Sequence, residues 1–247
     1  MEEKIGNPWL KLIKEINNEN FDNNYVLRQE QFIVEEFNKK INNYLYKIHT
    51  QIMPAPFMGD VHNASIVILM LNPGYDPKED IISDEDGLNY YNRYKDWWKK
   101  EIQHIHTKPN LPFFALDEQY SKSSDYWVKK LKPLTSISTN EKAARDICTI
   151  QFFPYHSQKY KSIHKKLIKE AGFDNYLPSQ KYNFQLVKDA ISRNAIIIIA
   201  RSKKIWFEAI PELAKYENLH FTNSYLNTII SKNNLPSAFP KILEKLK

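Results

Sequence analysis

Ser65-Ile66-Val67-Ile68-Leu69-Met70-Leu71-Asn72-Pro73-Gly74-Tyr75 sets an unbroken apolar run against a proline–glycine turn. A run this short and without alternation suits a strand buried on both faces, the pattern of a parallel sheet covered by helices. Three further stretches read the same way: Asp146 to Phe153 (DICTIQFF), stopped by Pro154; Ala195 to Ala200 (AIIIIA); and the weaker Leu219 to Asn223 (LHFTN). Helical patterns fall between them at 159–171, closed by Gly172, at 182–194, and at 203–213, interrupted by Pro211. Two more helices are expected around 90–105 and 125–131, inside an aromatic-rich stretch at 88–131. Upstream, residues 28–48 place Phe32, Ile33, Phe37, Ile41, Tyr44, Leu45 and Ile48 on one helical face, a helix that should cap the core. Strands alternating with helices imply the α/β class and a doubly wound parallel sheet. The expected organisation is one domain over 1–247, with an N-terminal helical cap at 1–52 and a helical insertion at 80–140.

Composition narrows the function classes. The chain is 42% hydrophobic and 13% aromatic, enough apolar area to form a core rather than a disordered chain. The longest strongly apolar run, around 195–200, is far short of a membrane span. The acidic start Met1-Glu2-Glu3-Lys4 leads into no apolar signal core, so a cytoplasmic bacterial protein is the expectation. A lone cysteine, Cys148, excludes an intramolecular disulfide and any four-cysteine metal site, and within a strand it reads as core. His104 and His106 lack helical ligand spacing and acidic or cysteine neighbours, so no metal and no cofactor is expected. Lys plus Arg is 35 against 29 for Asp plus Glu, a formal net charge of +6. That balance makes nucleic acid a partner worth testing, although lysine-rich helix faces such as 159–169 are usually just solvated.

In open α/β sheets, ligands bind beyond the carboxyl ends of the strands. Four polar segments fall there. Asn72-Pro73-Gly74-Tyr75 reads as a type II turn, with proline fixing one φ and Gly74 taking a positive one. Such a turn would hold Asn72 rigidly, bare the backbone of Gly74 to a ligand, and be followed by the Tyr75 ring and the Asp76 carboxylate. Phe152-Phe153-Pro154-Tyr155-His156-Ser157 ends the second strand. There Tyr155 and His156 read equally well as ligand contacts, the histidine donating a proton or hydrogen bond, or as core and surface residues. Arg201, with the backbone after the third strand, could hold a phosphate or other anion, or pair with a neighbouring carboxylate. Asn223-Ser224-Tyr225-Leu226-Asn227 after the fourth strand suits a ligand loop or a plain turn. Trp97-Trp98 reads as packing, with base stacking the alternative.

Ile68-Leu69-Met70-Leu71-Asn72-Pro73-Gly74 resembles the first motif of the uracil-DNA glycosylase superfamily, in its Gly-x-Asn-Pro-Gly form. The resemblance implies a three-layer α/β/α fold with a short four-stranded parallel sheet and a pocket at the strand ends. It implies that Asn72 orients the attacking water near the glycosidic bond and that Tyr75 or Phe153 stacks on a flipped base. Asp76 is a second candidate for handling water by chemical type. The family's His-Pro-Ser segment is replaced by Thr222-Asn223-Ser224-Tyr225, and its leading glycine by Met70. A base-side donor would then come from His156 or Asn223. The expected catalytic set is Asn72, Asp76 and His156; the expected substrate-binding set is Gly74, Tyr75, Phe153, Tyr155, Arg201 and Asn223. Three functions compete: a DNA-repair glycosylase hydrolysing the N-glycosidic bond of a base, modified or not; a non-cleaving module of the same fold that binds nucleic acid or a nucleotide; and a hydrolase or transferase for a small nucleotide-like ligand.

Overall fold

The computed structural model describes residues 5–75, 85–106, 108–117, 125–224 and 227–247, with the backbone alone for 85–93 and 125. The chain is α/β, with a five-stranded mixed sheet in the order β1-β3-β2-β4-β5. The strands are β1 (Phe57–Met58), β2 (Ile66–Met70), β3 (Ile147–Gln151), β4 (Ile196–Ile199) and β5 (Leu219–Phe221). All four expected strands form and run parallel, with Val67 level with Cys148 on one side and Ile197 on the other. The sheet is nonetheless not a purely parallel four-stranded one. At its edge β1 pairs antiparallel with β3, Phe57 opposite Ile150. Two residues after a proline pair carry no periodic signal, so this strand exists through tertiary pairing alone.

Every residue of β2, β3 and β4 is buried, which is why these strands show no alternation. Gly59, just after β1, has φ +90°, and a Cβ there would stand 2.7 Å from the Ile147 carbonyl oxygen. Only glycine fits so close a backbone crossing.

The chain divides into two compact units, each assembled from three separate segments. One comprises 57–71, 106–152 and 184–247 and contains the whole sheet. Its helices include α4 (Asp125–Thr135), α5 (Asn140–Asp146), α8 (Lys203–Ala209) and α9 (Phe239–Lys245). Leu131, Leu134, Ala143, Ala144, Trp206 and Ile242 bury their side chains there.

The other unit comprises 1–56, 72–105 and 153–183. It holds α1 (Trp9–Ile16), α2 (Arg28–Lys40), α3 (Glu85–Ile102) and α6 (Lys165–Glu170), and α7 (Pro178–Ser192) begins in it. The expected cap at 1–52 lies wholly in this unit, whereas the expected insertion at 80–140 is shared out between the two. α6 ends on Gly172 at φ +84°, with Gly172 N donating to the Lys169 carbonyl and Phe173 N to the Ile168 carbonyl. That pair of bonds is a Schellman stop, as the glycine suggested.

The helix expected over 28–48 stops at Lys40. The Asn38 side chain bonds both Ile48 N (2.9 Å) and Ile48 O (2.8 Å), tying the chain back across the turn. Asn43 then caps a short 3₁₀ turn at Tyr44–Tyr46. The predicted apolar face breaks with it: Ile33, Phe37 and Ile48 are buried, but Phe32 is 55% exposed and Tyr44 52%. Trp98 is buried, its indole N–H donating to the Pro54 carbonyl, a packing role.

Candidate functional site

β2 hands the chain to Asn72, whose carboxamide is locked. Its Nδ2 lies 2.9 Å from the Pro73 carbonyl, 3.0 Å from the Ser157 carbonyl and 3.0 Å from Ser157 Oγ. Carbonyl oxygens only accept, so the amide nitrogen must face them. Ser157 Oγ spends its own proton on the Lys159 carbonyl at 3.0 Å and therefore accepts from Asn72. Asn72 Oδ1, on the opposite side of the amide, has no hydrogen-bond partner among the described residues. An acceptor held this way keeps its direction without a reorganisation cost.

The turn differs from the expected type II form. Gly74 does not take positive φ. It is exposed, and a Cβ added to it would meet nothing within 4 Å. The glycine therefore leaves open space over the backbone rather than satisfying a turn angle.

The Gly74 carbonyl accepts from His156 Nδ1 at 2.7 Å, which places the neutral ring's proton on Nδ1. Burial, the largest cause, pushes the His156 pKa down to about 4, against the Gly74 and Met53 carbonyls, which favour a proton on the ring; His49 adds to the lowering. Met53 forms no hydrogen bond of acceptable geometry to Nε2, which has no partner among the described residues. At neutral pH the ring is uncharged and its one proton is engaged. His156 can accept a hydrogen bond through Nε2, which corrects the expectation that it donates.

Tyr75 is 7% exposed and stacks on His49 with ring centroids 3.4 Å apart and planes at 15°. His49 N donates to the His156 carbonyl at 3.0 Å, so one small assembly joins 49, 72–75 and 156–157. Tyr75 is thus a wall of the site with one face already covered. Asp76 lies outside the described residues.

Phe153 and Tyr155 belong to the interior. Phe153 packs edge-on to Tyr155 and Tyr160. Tyr155 is 1% exposed; its hydroxyl donates to Glu30 Oε2 at 2.7 Å and accepts from Leu27 N at 3.2 Å. With hydroxyl and ring both engaged, it is a packing residue rather than a ligand contact. Glu30 also accepts from Ser179 N (2.6 Å) and Ser179 Oγ (2.8 Å) at the start of α7. Burial dominates and raises its pKa to about 7, while these donors oppose the rise.

In the unit that carries the sheet, Arg201 lines a cavity of about 770 Å³ with Leu71, Ser202, Lys203, Phe221 and Thr222. These residues follow β2 and β4 or fall at the end of β5, the carboxyl ends where α/β sheets place ligands. Thr222 Oγ1 donates to the Ala200 carbonyl at 3.1 Å and ties two of the loops together. Asn223 is exposed and turned to local bonding: its Nδ2 donates to the Asn233 carbonyl at 3.1 Å and its N–H to the Asn234 carbonyl. It belongs to the turn, the plainer of its two readings.

The structure therefore brings together Asn72, Gly74, Tyr75 and His156, adding His49 and Ser157. Ser157 carried a signal in its place beside His156; His49 carried none, because its stacking partner is remote in sequence. No group of three or more His, Cys, Asp or Glu side chains arranged to hold a metal ion occurs among the described residues. No helix among them is long and apolar enough to cross a membrane. Comparison of the chain with protein-family models, with characterised proteins and with solved structures finds no match, so function has to be argued from this geometry.

Proposed function

We propose that the chain is a uracil-DNA glycosylase-like hydrolase that cleaves the N-glycosidic bond of a base in DNA. The observation that carries this reading is the Asn72 amide, saturated on its nitrogen side and unpartnered at Oδ1 among the described residues, leaving the inner strand β2 beside the open backbone of Gly74. Glycosidic cleavage builds positive charge on the sugar and needs a water held on its far side. Asn72 Oδ1 accepts a hydrogen bond from that water and sets its direction. His156, buried and uncharged at neutral pH, braces the Gly74 backbone beside that water through Nδ1. The finer fold assignment, a three-layer α/β/α glycosylase-like domain, belongs to the same proposal. It is supported by the four adjacent parallel strands and by a motif turn leaving one of the inner two. A formal +6 charge favours a polyanionic substrate.

One observation favours the alternative, a module of this fold that binds nucleic acid or a nucleotide without cleaving it. The proton of His156 is spent on Gly74, so this ring has no N–H to offer a leaving base. The test is incubation with DNA carrying uracil, mismatched or modified bases, followed by alkali. Strand breaks that disappear in Asn72→Ala, with its far-ultraviolet circular dichroism unchanged, are the expected result. No abasic product from any substrate, alongside salt-sensitive DNA binding, assigns the chain to the binding alternative.

A further inference from the structure

The cavity at the carboxyl ends of β2 and β4 has a charge pattern that the Asn72 assembly leaves unused. β2 and β4 are neighbours, yet the chain passes from β2 to β3 on one side before returning to β4 on the other. That is a topological switch point, where a doubly wound sheet opens a crevice. Two cations line the cavity, Arg201 and Lys203, and no carboxylate lines it among the described residues. Arg201 Nε is shielded from solvent and makes no hydrogen bond among the described residues. Lys203 Nζ lies 4.2 Å from the centre of the Phe221 ring and 5.2 Å from that of Phe207. A third cation, Lys130 of α4, is held by Asn227 Oδ1 at 3.0 Å and lies 5.2 Å from the Tyr126 ring centre. Burial and the charge of Arg201 lower its pKa, so the two side chains feel each other's field.

None of these three cations has an ion pair among the described residues, although the chain holds 29 acidic side chains. An orphaned buried N–H costs about 1–3 kcal/mol, and neighbouring like charges add to that. A fold keeps such an arrangement where an anion relieves it. The backbone points to the same place: Ser202 has φ +57°, a left-handed conformation that serine adopts seldom, and its side chain caps nothing. Two lining cations already exceed the charge of a lone carboxylate and match a phosphoryl dianion, which a guanidinium can bind through two N–H groups. Phe221, 37% exposed, offers a flat apolar face at the rim. The volume lies within the roughly 300–1,000 Å³ range of small-ligand sites.

We infer that this cavity binds the phosphoryl group of a nucleotide, with Arg201 and Lys203 around the phosphate, Lys130 adding its charge from beyond the lining, and Phe221 against the nucleoside. The inference stands on the sheet's own unit and does not rest on the glycosylase reading.

Isothermal titration of the full chain at low salt tests it, with three probes: inorganic phosphate, a deoxynucleoside monophosphate and a short single-stranded oligonucleotide. The mononucleotide should bind, more tightly than inorganic phosphate and more weakly as salt rises. Arg201→Gln should weaken it about tenfold and Lys130→Gln about three- to tenfold, the losses expected for charge-assisted contacts. Lys204→Gln, removing an exposed cation of α8, should leave the affinity unchanged. Binding of the oligonucleotide but not the mononucleotide, still dependent on Arg201, assigns the phosphoryl group to a strand. Equal affinity for inorganic phosphate and mononucleotide overturns the part given to Phe221. No binding of any probe, or affinities indifferent to both Arg201→Gln and Lys130→Gln with circular dichroism unchanged, overturns the inference. A chain that binds the mononucleotide yet yields no abasic product keeps this site and loses the glycosylase reading.

Discussion

Glu30→Gln isolates a charge that the fold buries completely. Glu30 accepts three hydrogen bonds, from Tyr155 Oη, Ser179 N and Ser179 Oγ, yet desolvation still carries its pKa from 4.5 to about 7. A shift of that size is worth about 3 kcal/mol between the protonation states. Because the folded value lies above the unfolded one, the native state binds the proton more tightly. The stability this confers is complete below pH 4.5 and is lost as pH rises through 7. His156 works in the opposite sense. Its pKa falls from 6.5 to about 4, so its contribution, also about 3 kcal/mol, is present above pH 6.5 and lost as pH falls through 4. The two windows overlap and the slopes oppose, so these two groups leave the parent protein nearly flat between pH 4.5 and 6.5. Glutamine removes only the Glu30 slope. The variant also loses a good acceptor for the Tyr155 hydroxyl, an offset of about 1–2 kcal/mol that does not vary with pH. Denaturant unfolding at intervals from pH 4.5 to 8, followed by tryptophan fluorescence, measures the difference between parent and variant. That difference should shift by about 3 kcal/mol in favour of the variant from the lowest to the highest pH. Parallel profiles, agreeing within about 0.5 kcal/mol, would refute the account, since they would mean that Glu30 titrates as a solvated carboxyl in the folded state.

Two further substitutions probe the geometry. Gly59→Ala forces a Cβ to within 2.7 Å of the Ile147 carbonyl oxygen at φ +90°, and should cost about 2–4 kcal/mol. Gly172→Ala meets only the conformational penalty of φ +84° in open space, about 1 kcal/mol, so unfolding midpoints should rank the two clearly. Asn72→Asp sets a carboxylate against the Pro73 and Ser157 carbonyls, whereas Asn72→Ala merely removes the donor. The aspartate variant should unfold earlier than the alanine by about 1–2 kcal/mol near neutral pH, and the gap should close in acid as the carboxyl protonates. A gap that ignores pH would mean that the Asn72 side chain is not held against those carbonyls.

The sequence by itself determined the parallel core of this protein. Ile66–Met70, Ile147–Gln151 and Ile196–Ile199 are short, unalternating and punctuated by Pro or polar turns, and burial on both faces leaves that mark directly in composition. The helix stop at Gly172 was legible for a similar reason, since one residue's freedom in φ decides it. What depends on partners remote in the chain was decided only in three dimensions. β1 exists because Phe57 and Met58 meet Ile150 and Thr149. α2 ends early because Asn38 reaches Ile48. Tyr155 becomes core because its hydroxyl finds Glu30, while Tyr75 becomes a wall because His49 stacks on it. Asn72 stood out in the sequence as the residue leaving β2. Which of its amide atoms is left to meet a ligand was settled by Ser157, 85 positions along, whose carbonyl and hydroxyl take the nitrogen and leave Oδ1 without a partner among the described residues. Local pattern encodes burial and backbone freedom, whereas the direction of a polar side chain is set by the groups that fold against it.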